Sequence, residues 1–123
     1  MRQIATEKAP AAIGPYCQAM VHNGLVFTSG QIPLDPETGA IVGTTIEEQS
    51  RRVMDNLAAV LAAAGSAPEK ALKTTCFLAD MADFAAFNAI YGSYFVSKPA
   101  RSCVAVKSLP KNVLVEVEVI AEV

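Results

Sequence analysis

The chain has 123 residues, of which 52% are hydrophobic and 18% charged, with a formal net charge of −2. This length fits one domain, 1–123, with a core of its own. No apolar run approaches the ~18 residues of a membrane span, and no secretory signal opens the chain. Lys and Arg form no cluster, which argues against nucleic-acid binding. We therefore expect a cytoplasmic protein with no membrane partner.

The first predicted elements form a β-hairpin. Residues 16–21 and 25–29 flank Asn23-Gly24, a dipeptide typical of the two-residue turn between antiparallel strands. His22 is the only histidine, and we expect it to face solvent at the strand end rather than act as a base. The composition of residues 30–39 predicts a loop.

The middle of the chain predicts a helix and then a strand. Thr44 or Thr45 can cap a helix that runs to about Ala64, and Gly65 ends it. Six apolar residues share one stripe of that helix: Ile46, Val53, Leu57, Val60, Leu61 and Ala64. The segment 72–78 is rich in Thr, Cys and Phe, which favours a strand.

A second helix is predicted to begin at Asp80 or Asp83. Four aromatic residues recur along it at helical spacing: Phe84, Phe87, Tyr91 and Tyr94. Such a stripe is more typical of a protein core than of a cofactor site.

Two further strands close the chain. One begins near Arg101, and residues 113–119 alternate, with four valines on one face and Leu114, Glu116, Glu118 and Ile120 on the other. The turn at 109–112 predicts an antiparallel hairpin that brings Arg101 near Glu116. That pair could hold a small carboxylate-bearing substrate, or it could be a surface salt bridge.

The order β-β-α-β-α-β-β predicts an α+β fold with both helices on one sheet face. The other face must meet solvent or another subunit. Its expected Val and Ile content, in a chain of mean hydropathy +0.33, favours a subunit interface.

The three cysteines, Cys17, Cys76 and Cys103, fit neither a zinc site nor a redox pair. All three lie in predicted strands, where a free cysteine acts as a small buried hydrophobe. We expect free thiols and no metal.

A set of short motifs spans the chain and together is specific for one family: Ala5-Thr6-Glu7, residues 9–16, Thr28-Ser29-Gly30-Gln31-Ile32-Pro33, Asp55-Asn56-Leu57, Lys73-Thr74-Thr75, Phe84, Asn88, Tyr91, Pro99-Ala100-Arg101-Ser102, Leu109-Pro110-Lys111 and residues 115–118. On these residues the chain resembles the RidA family, also called the YjgF/YER057c/UK114 family of reactive-intermediate deaminases. The resemblance implies a chorismate-mutase-like fold. It also implies a homotrimer whose sheets form a central barrel, with active sites between subunits.

The resemblance also implies an activity. Family members hydrolyse imines such as 2-iminopropanoate and 2-iminobutanoate to 2-oxo acids and ammonia, with no cofactor. By the same resemblance, Arg101 grips the substrate carboxylate, Glu116 polarises the attacking water, and the main-chain carbonyl of Cys103 faces the imine nitrogen.

The remaining residues that the family pattern assigns form the pocket wall: Tyr16, Ser29, Gly30 and Asn88. Each also has a purely structural interpretation: Tyr16 as a core aromatic, Ser29-Gly30 as a strand-end turn, and Asn88 as a polar residue of a helix face. The segment 95–99 is shorter than in many relatives, and Lys98 stands where an apolar residue is common. The rim of the pocket, and with it the preferred substrate side chain, stays open.

Two other classes of function are compatible with the sequence. A trimer of this kind could bind small carboxylates or unfolded chains without catalysis, as a sensor or chaperone. An RNA-directed ribonuclease is the other, and the acidic balance of the chain argues against it.

Overall fold

The computed structural model of the protein describes residues 1–123. It contains six strands and two α-helices: β1 (Arg2–Ile4), β2 (Ala19–His22), β3 (Leu25–Thr28), α1 (Ile46–Ala63), β4 (Ala71–Leu78), α2 (Phe84–Tyr94), β5 (Ala100–Ala105) and β6 (Val115–Glu122). None of the helices combines the length and the apolar character that crossing a membrane would require.

The strands form one mixed sheet in the order β1-β2-β3-β6-β4-β5. Strand β6 is antiparallel to both β3 and β4, whereas β5 runs parallel to β4 at the sheet edge. The predicted hairpin between the last two strands is therefore wrong. The connection after β5 passes over β4, and β6 enters the middle of the sheet.

Helix α1 follows the prediction closely. Thr45 caps it, with its side chain accepting from the backbone N–H of Glu48, and the Glu48 carboxylate bonds back to the N–H of Thr45. The helix is followed by Gly65, whose φ of 83° lies in the left-handed region. The apolar stripe from Ile46 to Ala64 is buried throughout.

Both helices cover one face of the sheet. Along β6 the residues Val115, Val117 and Val119 are at most 1% exposed and alternate with half-buried residues. In α2 the rings of Phe87 and Tyr91 are also buried. These two rings are thus core, as predicted, whereas the other two aromatic residues of the stripe are half-buried and pack against it.

The open face of the sheet differs from the prediction. The valines of β6 pack under the helices, so the open face carries a mixture of polar and apolar side chains instead of a Val and Ile surface. Phe27 and Val104 remain 41% and 46% exposed there, on the same face as the half-buried Glu116 and Glu118.

Two local features also differ. Strand β1 has no predicted counterpart, because three residues are too few to show an alternating pattern. Cys17 lies just before β2 instead of within a strand. The turn at Asn23-Gly24 is as predicted, and both residues have positive φ, 51° and 79°.

Candidate active site

Four of the predicted site residues line one cleft, of about 570 Å³. They are Tyr16, Ser29, Gly30 and Glu116, here called the acidic half-site. Glu118 also lines the cleft, as do parts of the N-terminal segment and the loop after β3. The cleft therefore collects residues from distant parts of the sequence.

Glu116 is the chemically distinctive member of the acidic half-site. Its neighbours Val115 and Val117 are buried under the helices, so Glu116 points to the opposite, open face of the sheet. Partial burial, and secondarily the negative charge of Glu118, raises the pKa of the Glu116 carboxyl. A carboxyl group with a raised pKa exchanges protons closer to neutrality.

Ser29 and Gly30 are positioned by irregular backbone. Ser29 donates its N–H to the carbonyl of Gln18 (2.9 Å) and its hydroxyl to the carbonyl of Cys17 (2.6 Å). Gly30 lies against Glu116 so closely that a Cβ atom built on it would overlap the carboxylate oxygen Oε2. A larger residue at position 30 would therefore displace the Glu116 carboxylate, whereas the backbone conformation itself, with a φ outside the left-handed region, does not demand glycine.

A buried glutamine holds the N-terminal segment beside the cleft. The side chain of Gln18 donates to the carbonyls of Thr6 (3.0 Å) and Pro10 (2.7 Å) and accepts from the N–H of Thr6. Tyr16 is left 55% exposed at the cleft wall, so it is not the core aromatic of the alternative interpretation.

Helix α1 fixes the other wall. Asn56 is fully buried and donates to the carbonyls of Ile32 (3.3 Å) and Leu34 (3.0 Å). The Nε–H of Arg52 donates to the Asn56 carbonyl oxygen (3.1 Å), which orients the amide. The loop after β3 is therefore tied to a helix.

Arg101 lies in a different place, between β5 and α2. Its Nη1 donates to Oδ1 of Asn88 at 2.7 Å, and its guanidinium carbon is 4.8 Å from the ring centre of Tyr91 and 5.4 Å from that of Phe84. These four residues are called the cationic half-site. Two rings and an amide hold the cation in one orientation.

The Tyr91 ring is itself fixed. Its hydroxyl bonds the buried Thr74 hydroxyl at 2.7 Å, and the ring packs on Phe95 with centres 4.8 Å apart. Thr74 pairs with Arg101 in the β4–β5 register. The ring beneath the guanidinium is thus anchored to the neighbouring strand.

Cys103 follows Arg101 on the same face of β5 and is half-buried. Burial raises the pKa of its thiol, and Arg101 lowers it to a smaller extent. Its neighbour Cys76 is buried, which raises the pKa of that thiol to about 12. Both groups are thiols, and neither is a ready nucleophile.

The two half-sites do not meet within one chain. Arg101 faces the helices from an edge strand, whereas Glu116 faces away from them, and β4 separates their strands. The expected proximity of Arg101 and Glu116 along a hairpin is therefore wrong for a single chain. A salt bridge between them within the chain is wrong for the same reason.

Several contributors were not assigned from the sequence. Phe84 and Tyr91 flank Asn88 at helical spacing on α2, a pattern that could have suggested an aromatic support for a cation. Asn56 belongs to one of the family motifs, but neither its role nor that of Gln18 follows from a local pattern, since both depend on loops that pack against them.

Comparisons with known proteins agree with this architecture. The family described as Endoribonuclease L-PSP matches residues 6–123. A Lactococcus lactis relative named as a candidate regulator, AldR, is 56% identical over all of this chain and 98% of its own. The 2-iminobutanoate/2-iminopropanoate deaminase of Salmonella typhimurium is 48% identical over 98% of this chain and 96% of its own. The crystal structure of Escherichia coli TdcF with bound serine superimposes with a TM-score of 0.95 at 42% identity, covering 100% of this chain and 99% of that one.

Proposed function

This chain belongs to the Endoribonuclease L-PSP family, to which the RidA and YjgF proteins also belong, and we propose that it hydrolyses reactive imines of small 2-oxo acids in the cytoplasm. The substrates are 2-iminobutanoate and 2-iminopropanoate. Water adds to the C=N carbon, the C–N bond breaks, and the products are a 2-oxo acid and ammonia. A relative 48% identical carries this activity as its name.

The observation that carries the proposal is the pair of complementary, incomplete half-sites. One holds an oriented guanidinium and the other a carboxyl group in a cleft. A 2-imino acid needs both, because it carries a carboxylate beside the carbon that water must attack.

Arg101 binds the substrate carboxylate. A guanidinium has five N–H donors in a planar fork, and only one bond of Arg101 is made, to Asn88. The remaining donors are free for a bidentate carboxylate pair. The rings of Tyr91 and Phe84 restrict the plane of the fork and hence the direction from which the substrate enters.

Glu116 holds the water. As a carboxylate it accepts a proton when water attacks the imine carbon and returns that proton to the nitrogen, which gives a carbinolamine. It can then move the hydroxyl proton of the carbinolamine to the same nitrogen, so that the C=O bond forms as the C–N bond breaks and ammonia leaves. Its raised pKa suits both steps near neutral pH. Tyr16, Ser29 and Gly30 form the wall that confines the water and the imine.

Cys103 contributes its main chain. Strand β5 pairs only with β4, so one edge of its backbone is unpaired within the chain. A carbonyl on that edge can accept from the imine N–H. The thiols of Cys103 and Cys76 take no part in the reaction. The reaction needs no cofactor.

The complete site forms between subunits of a homotrimer. Arg101 of one subunit meets Glu116 of the next. Three such contacts close a cyclic trimer in which both contact surfaces of every subunit are buried. The exposed Phe27 and Val104 on the open sheet face support this arrangement, since the sheets would meet there.

Coupled assays test the activity. A threonine dehydratase supplies the imine, and 2-oxobutanoate or ammonia release is followed with and without this protein. No acceleration would reject the proposal. Aggregation-suppression assays with the same preparation would then test the chaperone alternative.

Mixed subunits test the shared site. Arg101→Ala and Glu116→Gln should each be inactive as pure proteins. Random co-assembly at equal ratio should restore about a quarter of the wild-type rate. A shared site is intact only when one subunit supplies Arg101 and its neighbour supplies Glu116, and each condition holds for about half of the subunits. A mixture that stays inactive while forming trimers would show that both residues must come from one chain.

Ribonuclease activity fits the cleft poorly. Glu116 and Glu118 both line it, and carboxylates repel the phosphates that dominate nucleic-acid binding. RNA cleavage that survives high salt and is lost with Glu116→Gln would overturn this argument.

A further inference from the structure

The pairing between β3 and β6 is interrupted beside Glu116. Regular register ends at Phe27 opposite Ile120 and resumes at Gln31 opposite Val117, where both backbone bonds form at 2.9 and 3.2 Å. Between these pairs, residues 28–30 face only residues 118 and 119. One extra residue on one strand constitutes a β-bulge, a feature common next to active sites.

A threonine side chain closes the gap that the bulge opens. Val119 is buried, and its backbone N–H points towards β3, as that of Val117 does two residues earlier. At this point the Thr28 hydroxyl oxygen accepts the Val119 N–H at 2.9 Å. Thr28 is 7% exposed and lines the cleft of the acidic half-site. A buried N–H that lost this acceptor would be destabilising.

The bulge determines where Glu116 can lie. Directly after Thr28, Ser29 is bonded to the carbonyls of Gln18 and Cys17, and Gly30 lies against the Glu116 carboxylate. The backbone of the bulge is therefore held at Thr28 by β6 and at Ser29 by the segment before β2.

We propose that Thr28 is a positioning residue whose hydroxyl fixes the bulge that sets Gly30 against the Glu116 carboxylate. The proposal rests on the imine hydrolysis proposed above, because it deepens the role of the same cleft. Thr28 acts through Glu116 and does not need to touch the substrate.

The first test compares three variants of β3. Thr28→Val keeps the shape but removes the acceptor, so kcat should fall about 10- to 100-fold, as for a small misplacement of a reacting group, with KM nearly unchanged. Thr28→Ser keeps the hydroxyl and should recover most of the rate. Val26→Ala removes buried volume two residues away and lowers the melting temperature, but it should leave kcat and its pH profile unaltered.

Two results would overturn the proposal. One is wild-type kcat and pH profile in a folded Thr28→Val protein. The other is an equal loss of kcat in Thr28→Val and Val26→Ala, which would mean that general destabilisation accounts for the effect.

A second measurement does not depend on turnover. Carbon-13 NMR follows the titration of the Glu116 carboxyl, identified by its absence in Glu116→Gln. The other titratable groups around it are Glu118 on β6 and Tyr16 across the cleft, whereas Lys73 on β4 lies opposite Ile120, beside Glu118. Thr28→Val should shift the Glu116 titration, and Thr28→Ser should not.

These readouts separate the two proposals. If the wild-type protein hydrolyses no imine, the proposed function fails, and the titration still decides whether Thr28 positions Glu116. If the wild-type protein is active but both kcat and the titration are unaffected by Thr28→Val, only the role of Thr28 fails.

Discussion

The two half-sites are built in opposite ways. The cationic half-site uses regular elements: one face of α2 supplies Phe84, Asn88 and Tyr91, and β5 supplies Arg101. The acidic half-site uses irregular backbone, namely a bulge at 28–30 and a segment held by the Gln18 side chain.

This difference matches their tasks. A carboxylate clamp must keep a fixed direction, and packed rings on a helix provide that. A water site needs room beside a carboxylate, and a bulge with a glycine creates room in an otherwise paired sheet. Each half-site should therefore lose function when the feature assigned to it is removed.

Removing the cation should have the largest effect. Arg101→Ala should lower kcat/KM by more than about 100-fold, since hydrogen bonds to charged groups contribute roughly 1.5–3 kcal/mol each. Arg101→Lys retains charge but loses the fork, and we expect a loss of about 10- to 100-fold. Steady-state kinetics and calorimetry with 2-oxobutanoate measure both effects. Near-normal turnover in the alanine variant would reject the clamp.

Filling the space beside Glu116 should come next. Gly30→Ala places a Cβ atom onto the carboxylate, so the carboxylate must move, and kcat/KM should fall about 100-fold. Gly92→Ala is the matched control, because a Cβ there meets nothing within 4 Å. It should leave activity intact and raise stability slightly, as alanine favours helices. Equal activity of the two variants would mean that the close approach has no role.

The family resemblance assigns all four residues of the acidic half-site but only Arg101 and Asn88 of the cationic one. The helical spacing that places Phe84 and Tyr91 beside Asn88 is local to α2, but on its own it predicts only a core. The acidic half-site depends on which strand lies beside β3, and the sequence pattern of 113–119 does not encode that. The failed hairpin shows this limit: alternation predicts the strand and its faces correctly, but its partner depends on the crossing over β4.

Two substitutions of Tyr91 separate the role of its ring from the role of its hydroxyl. Tyr91→Leu removes the cation–π contact, worth about 0.5–2 kcal/mol, and should weaken 2-oxobutanoate binding by about 2- to 30-fold. Tyr91→Phe keeps the ring but loses the bond to Thr74. It should lower stability by about 1 kcal/mol with little effect on binding. Thermal melts measure the stability of the two variants, and calorimetry measures their binding of 2-oxobutanoate. Identical binding by both variants would show that the ring does not support Arg101.

The pH profile tests the acidic half-site more finely. Burial first, and the charge of Glu118 second, raise the pKa of Glu116. If the carboxylate form is active, kcat/KM rises with pH through that pKa. Glu118→Gln removes one cause, so the pKa should fall and the acidic limb should move to lower pH. If the acidic limb of the Glu118→Gln profile moves to higher pH or stays in place, Glu116 is not the group that controls it.

The same shift has a consequence for stability. A carboxyl whose folded pKa is raised binds protons more tightly in the folded state, so the folded state loses stability as pH rises from the ordinary glutamate pKa through the folded one. Glu116→Gln should therefore melt at a higher temperature than wild type at pH 7. The advantage should disappear in acid, where Glu116 is protonated in both states.

The smallest effect is expected at Cys103. Its thiol has a raised pKa because it is partly buried, and the nearby Arg101 only partly opposes this, so it is protonated at neutral pH and a poor nucleophile. Only its main-chain carbonyl is assigned a role, and serine keeps that carbonyl. Cys103→Ser should therefore retain kcat/KM within about threefold, a change of less than ~0.7 kcal/mol. An inactive but folded serine variant, with normal 2-oxobutanoate binding, would give the thiol a chemical role. The contrast between the half-sites would then change, because the cationic half would both bind and react.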